Sequence, residues 1–264
     1  MNTPPDSIGY RFAAISDIHG NLAALDAVLE DIDKRGCDLI VNLGDILSGP
    51  LQPAETADRL MALDLPTIRG NHERQLLKQS QERMGASDAY ARTCLTDAQM
   101  TWLRALPTSL RLDDRVHLCH GTPRNDLEYF LEDIDAAGTR AAAPGLVNER
   151  AGDIDAEVIL CGHTHMPRSM QLADGRLVVN PGSVGLQAFA WEDHPHPHVM
   201  ETGSPHARYA LLERGTHGWT VAHIAVAYDW ESAARMADRH GRPEWAYALR
   251  HGRMPATALQ ENAA

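Results

Sequence analysis

Apolar and polar positions change period several times along the chain. The run "RFAAIS" (11–16) has the length and composition of a buried strand. After a loop, "DIHG", Leu22, Leu25, Val28, Leu29 and Ile32 recur at helical spacing up to Gly36. The run "DLIVNL" (38–43) predicts a second strand, Pro53 opens a second helix over "PAETADRLMAL", and "PTIR" (66–69) predicts a short third strand ending at Gly70. Strand, loop and crossover helix thus repeat, which is how a parallel, doubly wound sheet begins.

Residues 73–106 predict two or three helices. The clearest is "TDAQMTWLRAL", with Thr96 as its cap. "SLRL" and "RVHLCH" then form two strands around a turn at Asp113 and Asp114. A mixed stretch (124–153) precedes the apolar run "EVILC". Three further β runs, "GRLVVN", "ARYALLE" and "WTVAHIAVAY", lead to a helical tail over 229–252. A βαβ first half with an antiparallel second half predicts an α/β fold: two facing mixed β-sheets flanked by helices, an α/β/β/α sandwich, with a helical excursion near 73–106. No internal repeat interrupts the pattern. The segment "WEDHPHPHVMETGSP" (191–205) is expected to be a surface loop, within a Pro/His-rich stretch over about 186–207.

The length of 264 residues suits one domain carrying these excursions rather than two independent ones. Hydrophobic residues make up 44% and charged residues 23%, which excludes a wholly disordered chain. The net charge of −12 argues against a nucleic-acid backbone or an anionic membrane as a broad partner. Cys37, Cys94, Cys119 and Cys161 lie far apart without CxxC spacing, so they are expected to be reduced thiols. The N-terminal stretch has no basic region followed by an apolar segment, and no run approaches the ~18 apolar residues of a membrane span. A soluble, cytoplasmic protein is expected.

Against this background one class of residue recurs where strands stop. Asp17 and His19 follow the first strand in "SDIHGN", Asp45 the second in "LGDI", and Asn71 and His72 the third in "RGNHE". His120 follows another in "LCHGTP", and His163 and His165 follow "EVILC" in "CGHTHMP". The carboxyl edge of an open α/β sheet is where ligand sites form. Each residue alone has a plainer reading. Asp17 would cap the next helix, Asp45 serve a turn, Asn71 adopt a left-handed turn and His120 bond to the backbone. Taken together, two Asp, one Asn and four His suffice for two divalent ions if one carboxylate bridges. Such a site is net cationic, so an acidic protein can still bind a phosphate oxyanion. His194, His196 and His198 are read as loop residues and His117 as structural.

The motifs "DIHGN", "GDILSG", "GNHE", "HGTP" and "GHTH", in this order, resemble the calcineurin-like metallophosphoesterases, most closely their small bacterial single-domain members. The resemblance covers residues 11 to about 185, and "NPGSVG" (180–185) is similar to the family's turn after the last site-bearing strand. It implies that Asp17, His19, Asp45 and His165 bind one metal, and Asp45, Asn71, His120 and His163 the other. The two-sheet sandwich agrees with the pattern reading.

The expected reaction is phosphoester hydrolysis, diester or monoester, by a hydroxide bridging two divalent ions. The substrate would be a small organic or nucleotide phosphate, with His72 as the acid for the leaving group. Mixed N/O ligation suits Mn or Fe, with Zn, Ni or Co also compatible. Two other readings remain: hydrolysis of a phosphoanhydride in a dinucleoside polyphosphate, and a non-catalytic scaffold. The stretches 73–106 and 186–207 are expected to roof the site and decide between substrates. Oligomeric state is left open.

Overall fold

The computed structural model describes residues 10–37 and 39–259. Asp38, read as the start of the second strand, lies outside the described residues, as does most of the N-terminal stretch. One sheet has the order β13-β12-β1-β2, built from β1 (Arg11–Ile15), β2 (Leu39–Asn42), β12 (Ala207–Gly215) and β13 (Gly218–Val226). The facing sheet, β3-β4-β7-β9-β8, is built from β3 (Leu110–Leu112), β4 (Val116–Leu118), β7 (Val158–Leu160), β8 (Arg168–Gln171) and β9 (Leu177–Asn180). Two hairpins stand apart, β5 (Glu132–Asp135) with β6 (Gly138–Ala141), and β10 (Ala188–Trp191) with β11 (His198–Glu201).

The sandwich follows from strands with two buried faces. In β1, Phe12 and Ala14 join Val116, Leu118, Val158 and Leu160 of the other sheet in one core. Ala13 and Ile15 point the other way, onto Leu25, Val28 and Ile32 of α1 (Leu22–Arg35) and Leu60 of α2 (Pro53–Leu63). In β7, Ile159 turns to the far side, against Val147 of α6 (Pro144–Ala151). Each of the larger side chains among these (Phe, Leu, Ile, Val), withdrawn from water, contributes about 1.5–3 kcal/mol before entropy is counted.

The excursion near 73–106 is helical: α3 (Asn71–Lys78), a 3₁₀ turn at Gln81–Arg83, α4 (Ala86–Cys94) and α5 (Asp97–Ala105). The side-chain oxygen of Thr96 caps α5 by accepting the Gln99 amide. The tail over 229–252 is a helical pair, α7 (Trp230–Arg239) and α8 (Pro243–His251). All four cysteines are free.

Two expectations are corrected. "PTIR" is not a strand but a single bridge between Asn42 and Thr67, since the chain turns at once into α3. The segment 191–205 is not one loop either. Trp191 ends β10 and pairs across the hairpin with His198 of β11, so the irregular parts are the hairpin turn between them and the link from 202 to 206 that leads to β12. His198 is buried because its ring meets Tyr129, whose hydroxyl lies 3.0 Å from Nε2.

Candidate metal centre

Parallel pairing sets the positions. β1 and β2 run parallel in one sheet, and β4, β7 and β9 run parallel in the other. The carboxyl ends of both sets open onto one edge, where the Asp17 carboxylate of the first sheet accepts the His163 amide of the second at 3.2 Å. Backbone hydrogen bonds tie the loops together there: Asp17 N–H donates to Gly44 O at 2.9 Å, and Gly162 N–H to His120 O at 2.7 Å. Glycine is required where loops touch. A methyl at Gly70 would press into the Asp45 carboxylate, and one at Gly162 into Ser16 Oγ and Asp17 Oδ2.

Asp17, His19, Asp45, His163 and His165 all have positive φ, from 52° to 67°. Left-handed backbone costs non-glycine residues roughly 1–2 kcal/mol each, so the surrounding loops must hold them there. Asn71, by contrast, opens α3 in helical conformation, and the cap of α1 is Asn21 rather than Asp17.

Two clusters result. Asp17, His19 and His165 place one donor atom each within 4.8 Å of one another, and Asp45, His120 and His163 do the same. The side-chain oxygen of Asn71 joins the second cluster, 3.0 Å from His163 Nδ1 and 3.2 Å from both His120 Nε2 and Asp45 Oδ2. All seven residues named from the sequence are brought together and buried. Asp45 groups with the second cluster, while its Oδ1 accepts the His72 amide at 3.0 Å.

The hydrogen-bond inventory shows that these residues fit cations. His19 Nδ1 lies 2.7 Å from Ser48 O and His165 Nδ1 lies 2.7 Å from Leu186 O. A carbonyl can only accept, so both Nδ1 atoms donate, and in the neutral form of each ring the Nε2 atom is a lone pair. Those two Nε2 atoms nevertheless face each other at 3.1 Å. His120 Nδ1 is committed likewise to Leu43 O at 2.8 Å, which turns its Nε2 toward Asp45 Oδ2 at 3.0 Å. Asp17 Oδ2 is buried without a partner. Acceptors converging on acceptors in a buried site are explained by cations between them.

Protonation follows the same imbalance. Burial, with His165 and His72 nearby, pushes His19 down to about 4, and burial beside His120 pushes His163 down to about 3. His120 is held at about 10: burial opposes its charge, but the Asp45 carboxylate outweighs it. His72 behaves similarly at about 9, with burial outweighed by Asp45 and Asp88. The carboxylates thus call for positive charge, which a divalent ion would supply.

Three parts were not found from the sequence. Glu73, fully buried in α3, accepts the backbone amides of Asp45 (2.9 Å), Ile46 (2.8 Å) and Gly70 (2.9 Å), and so ties two site loops to one carboxylate. Its signal was present in the "GNHE" motif. Asp88 of α4 sits 2.7 Å from His72 Nδ1, fixing that tautomer. No sequence pattern marks it. The third is the α8 side of a cavity of about 300 Å³, floored by His19, Asp45, His72, His163 and His165. The β10 hairpin supplies Phe189 and Ala190, as expected of 186–207, and the excursion supplies Ser87. The C-terminal α8 contributes Trp245 and Ala248, which no motif in the sequence connects to the site.

Comparison with known proteins agrees. Residues 10–203 match the calcineurin-like phosphoesterase superfamily domain. The protein MJ0912 of Methanocaldococcus jannaschii is 26% identical over 257 residues, spanning 88% of this chain and 94% of its own. The crystal structure of a metallophosphoesterase from Sphaerobacter thermophilus superposes with a TM-score of 0.68 at 25% identity, over 92% of this chain and 98% of that one. The protein PH1004 of Pyrococcus horikoshii gives 0.69 at 22% identity over the same shares, a likeness of fold. With two His/Asp clusters at the joined strand ends and a matched domain over most of its length, the chain belongs to the calcineurin-like phosphoesterase superfamily.

Proposed function

We propose that the chain is a dinuclear-metal phosphoester hydrolase acting on small organic phosphates. Asp17, His19, Asp45 and His165 would hold one ion, and Asp45, Asn71, His120 and His163 the other, with Asp45 as the bridge. The observation that carries this reading is the convergence of lone pairs, above all the facing Nε2 atoms of His19 and His165. Divalent cations so held would polarise phosphoryl oxygens and make water nucleophilic at neutral pH. Mixed N/O donors favour Mn or Fe. Four free thiols suit a reducing compartment, and we assign the cytoplasm.

The protein's own residues do the rest. His72 lines the cavity beside the cluster, and Asp88 takes its Nδ1, leaving Nε2 as the nitrogen that can donate a proton. The proton carried there goes to the leaving alkoxide as the ester bond breaks. Asp88, bonded to Nδ1, favours the charged imidazole that can give this proton. The scaffold reading would be favoured by a missing ligand, and none is missing.

Chelator-stripped protein titrated with Mn²⁺ tests the proposal, using bis-p-nitrophenyl phosphate and p-nitrophenyl phosphate. Hydrolysis of at least one should rise with metal and vanish with chelator. No hydrolysis of either with any of Mn, Fe, Zn, Ni or Co would overturn it.

A further inference from the structure

The cavity above the clusters is layered. Metal-facing histidines and Asp45 form its floor, and an apolar belt runs above them: Leu186, Ala188 and Phe189 from the β10 side, Trp245 and Ala248 from α8, and Met254 beyond it. The belt is a built wall, because Leu186, Ala188, Trp245 and Ala248 belong to one buried apolar cluster against which Phe189 and Met254 pack. Its aromatic edges reach the floor. Phe189 lies 4.7 Å, ring to ring, from His165, and Trp245 lies 5.9 Å from His19.

Charge at the rim is arranged against a second anion. Among the described residues, Arg242 is the only Lys or Arg lining the cavity, and it is already engaged. Glu244 pairs with its Nε, Ser87 Oγ accepts from Nη1 at 3.2 Å, and the guanidinium lies 5.7 Å from the Trp245 ring centre. Glu192 adds another carboxylate to the lining. A polyphosphate chain needs several cations beyond those at its scissile phosphoryl group, and no such array is present here. The volume, about 300 Å³, is at the lower end for ligand cavities and suits one compact organic group.

We infer that the substrate is a phosphoester of a compact, uncharged, largely apolar alcohol, aryl or arylalkyl in size, and that the Arg242–Glu244 pair excludes esters carrying a second anionic group. This rests on the hydrolase reading above and narrows it away from dinucleoside polyphosphates.

A matched pair of esters isolates the pocket from leaving-group chemistry: benzyl phosphate and 4-carboxybenzyl phosphate, which differ by one remote carboxylate. With metal-saturated full-length protein, kcat/KM should favour benzyl phosphate by about 10-fold or more, in the range of one mismatched contact in a pocket. Glu244→Gln frees the guanidinium with little change of shape. It should shrink that preference by about 5-fold while leaving metal content unchanged. Equal or faster turnover of the carboxylated ester by the wild-type protein overturns the inference and leaves the hydrolase reading intact. So does faster turnover of a dinucleoside tetraphosphate than of benzyl phosphate. A preference that Glu244→Gln leaves untouched overturns the role of the ion pair. If none of these compounds nor the p-nitrophenyl esters is hydrolysed, the hydrolase reading itself fails and the substrate inference falls with it.

Discussion

The strand-end loops and the C-terminal helices meet at one cavity, yet they reach it by different means. At the strand ends, five of the seven clustered residues sit in left-handed backbone, and buried hydrogen bonds such as those to Glu73 hold the loops. On α8 no lining residue has positive φ, and Trp245 reaches the cavity from ordinary helix packed against α7. Strain is concentrated where atoms must be aimed at a common point, while the wall is made by apolar burial alone. The first region should therefore fail through metal loss, and the second through substrate binding.

The largest effect should come from Asp45→Asn. It removes half the carboxylate charge of the clusters and the proposed bridge, so both ions should weaken and kcat/KM fall by about 10³-fold, the scale of losing a key electrostatic group. Asp17→Asn should weaken mainly one ion. Metal titration showing equal loss in both variants would break the assignment.

His72→Ala sharpens the comparison, since it should keep the metals and still lose rate. Esters with poor leaving groups should slow by about 10²–10⁴-fold and p-nitrophenyl esters clearly less. Equal loss for both at saturating metal would make His72 an orienting group. Asp88→Asn should move in the same direction by about 10-fold, the lower range for a group supporting a site residue.

Glu73→Gln should cost about 1–3 kcal/mol of stability, because an amide nitrogen cannot accept from the buried N–H groups the carboxylate now satisfies. Metal affinity should fall by about 10–100-fold. A thermal melt and a metal titration check both, and an unchanged melting temperature would contradict the role given to this side chain. The smallest effect is expected on the wall. Trp245→Phe should raise KM for aryl esters by up to about 10-fold with metal content unchanged, as removal of uniform binding does. Lost metal in that variant would erase the distinction between the two regions.

The same contrast explains what could be read from the chain. Asp17, Asp45, His120, His163 and His165 were legible because each comes just after an apolar run that forms a strand, and the parallel sheet rules carry such residues to one edge. Asn71 was legible only from its motif, since it opens α3 after a single bridge. The sandwich was legible from the change between βαβ and antiparallel patterns. The α8 side of the wall was not, because Trp245 on a helix reads as an ordinary apolar-face residue until α8 is seen against the His19 loop. Asp88 failed for the same reason: a lone Asp near a helix start reads as a capping or solvated residue, and only the tertiary fold brings it to His72. His198 was misread because Pro and His suggested a loop, whereas pairing with Trp191 and burial against Tyr129 decided its place.

The central claim, that the facing acceptors of the strand ends hold two cations that enable phosphoester hydrolysis, is tested most directly by metal stoichiometry against activity. Chelator-stripped protein should take up two equivalents of Mn²⁺ or Fe²⁺ per chain, with hydrolysis of bis-p-nitrophenyl phosphate or p-nitrophenyl phosphate rising to a plateau as the second equivalent binds. Binding of less than one equivalent, or full activity in excess chelator, would contradict it.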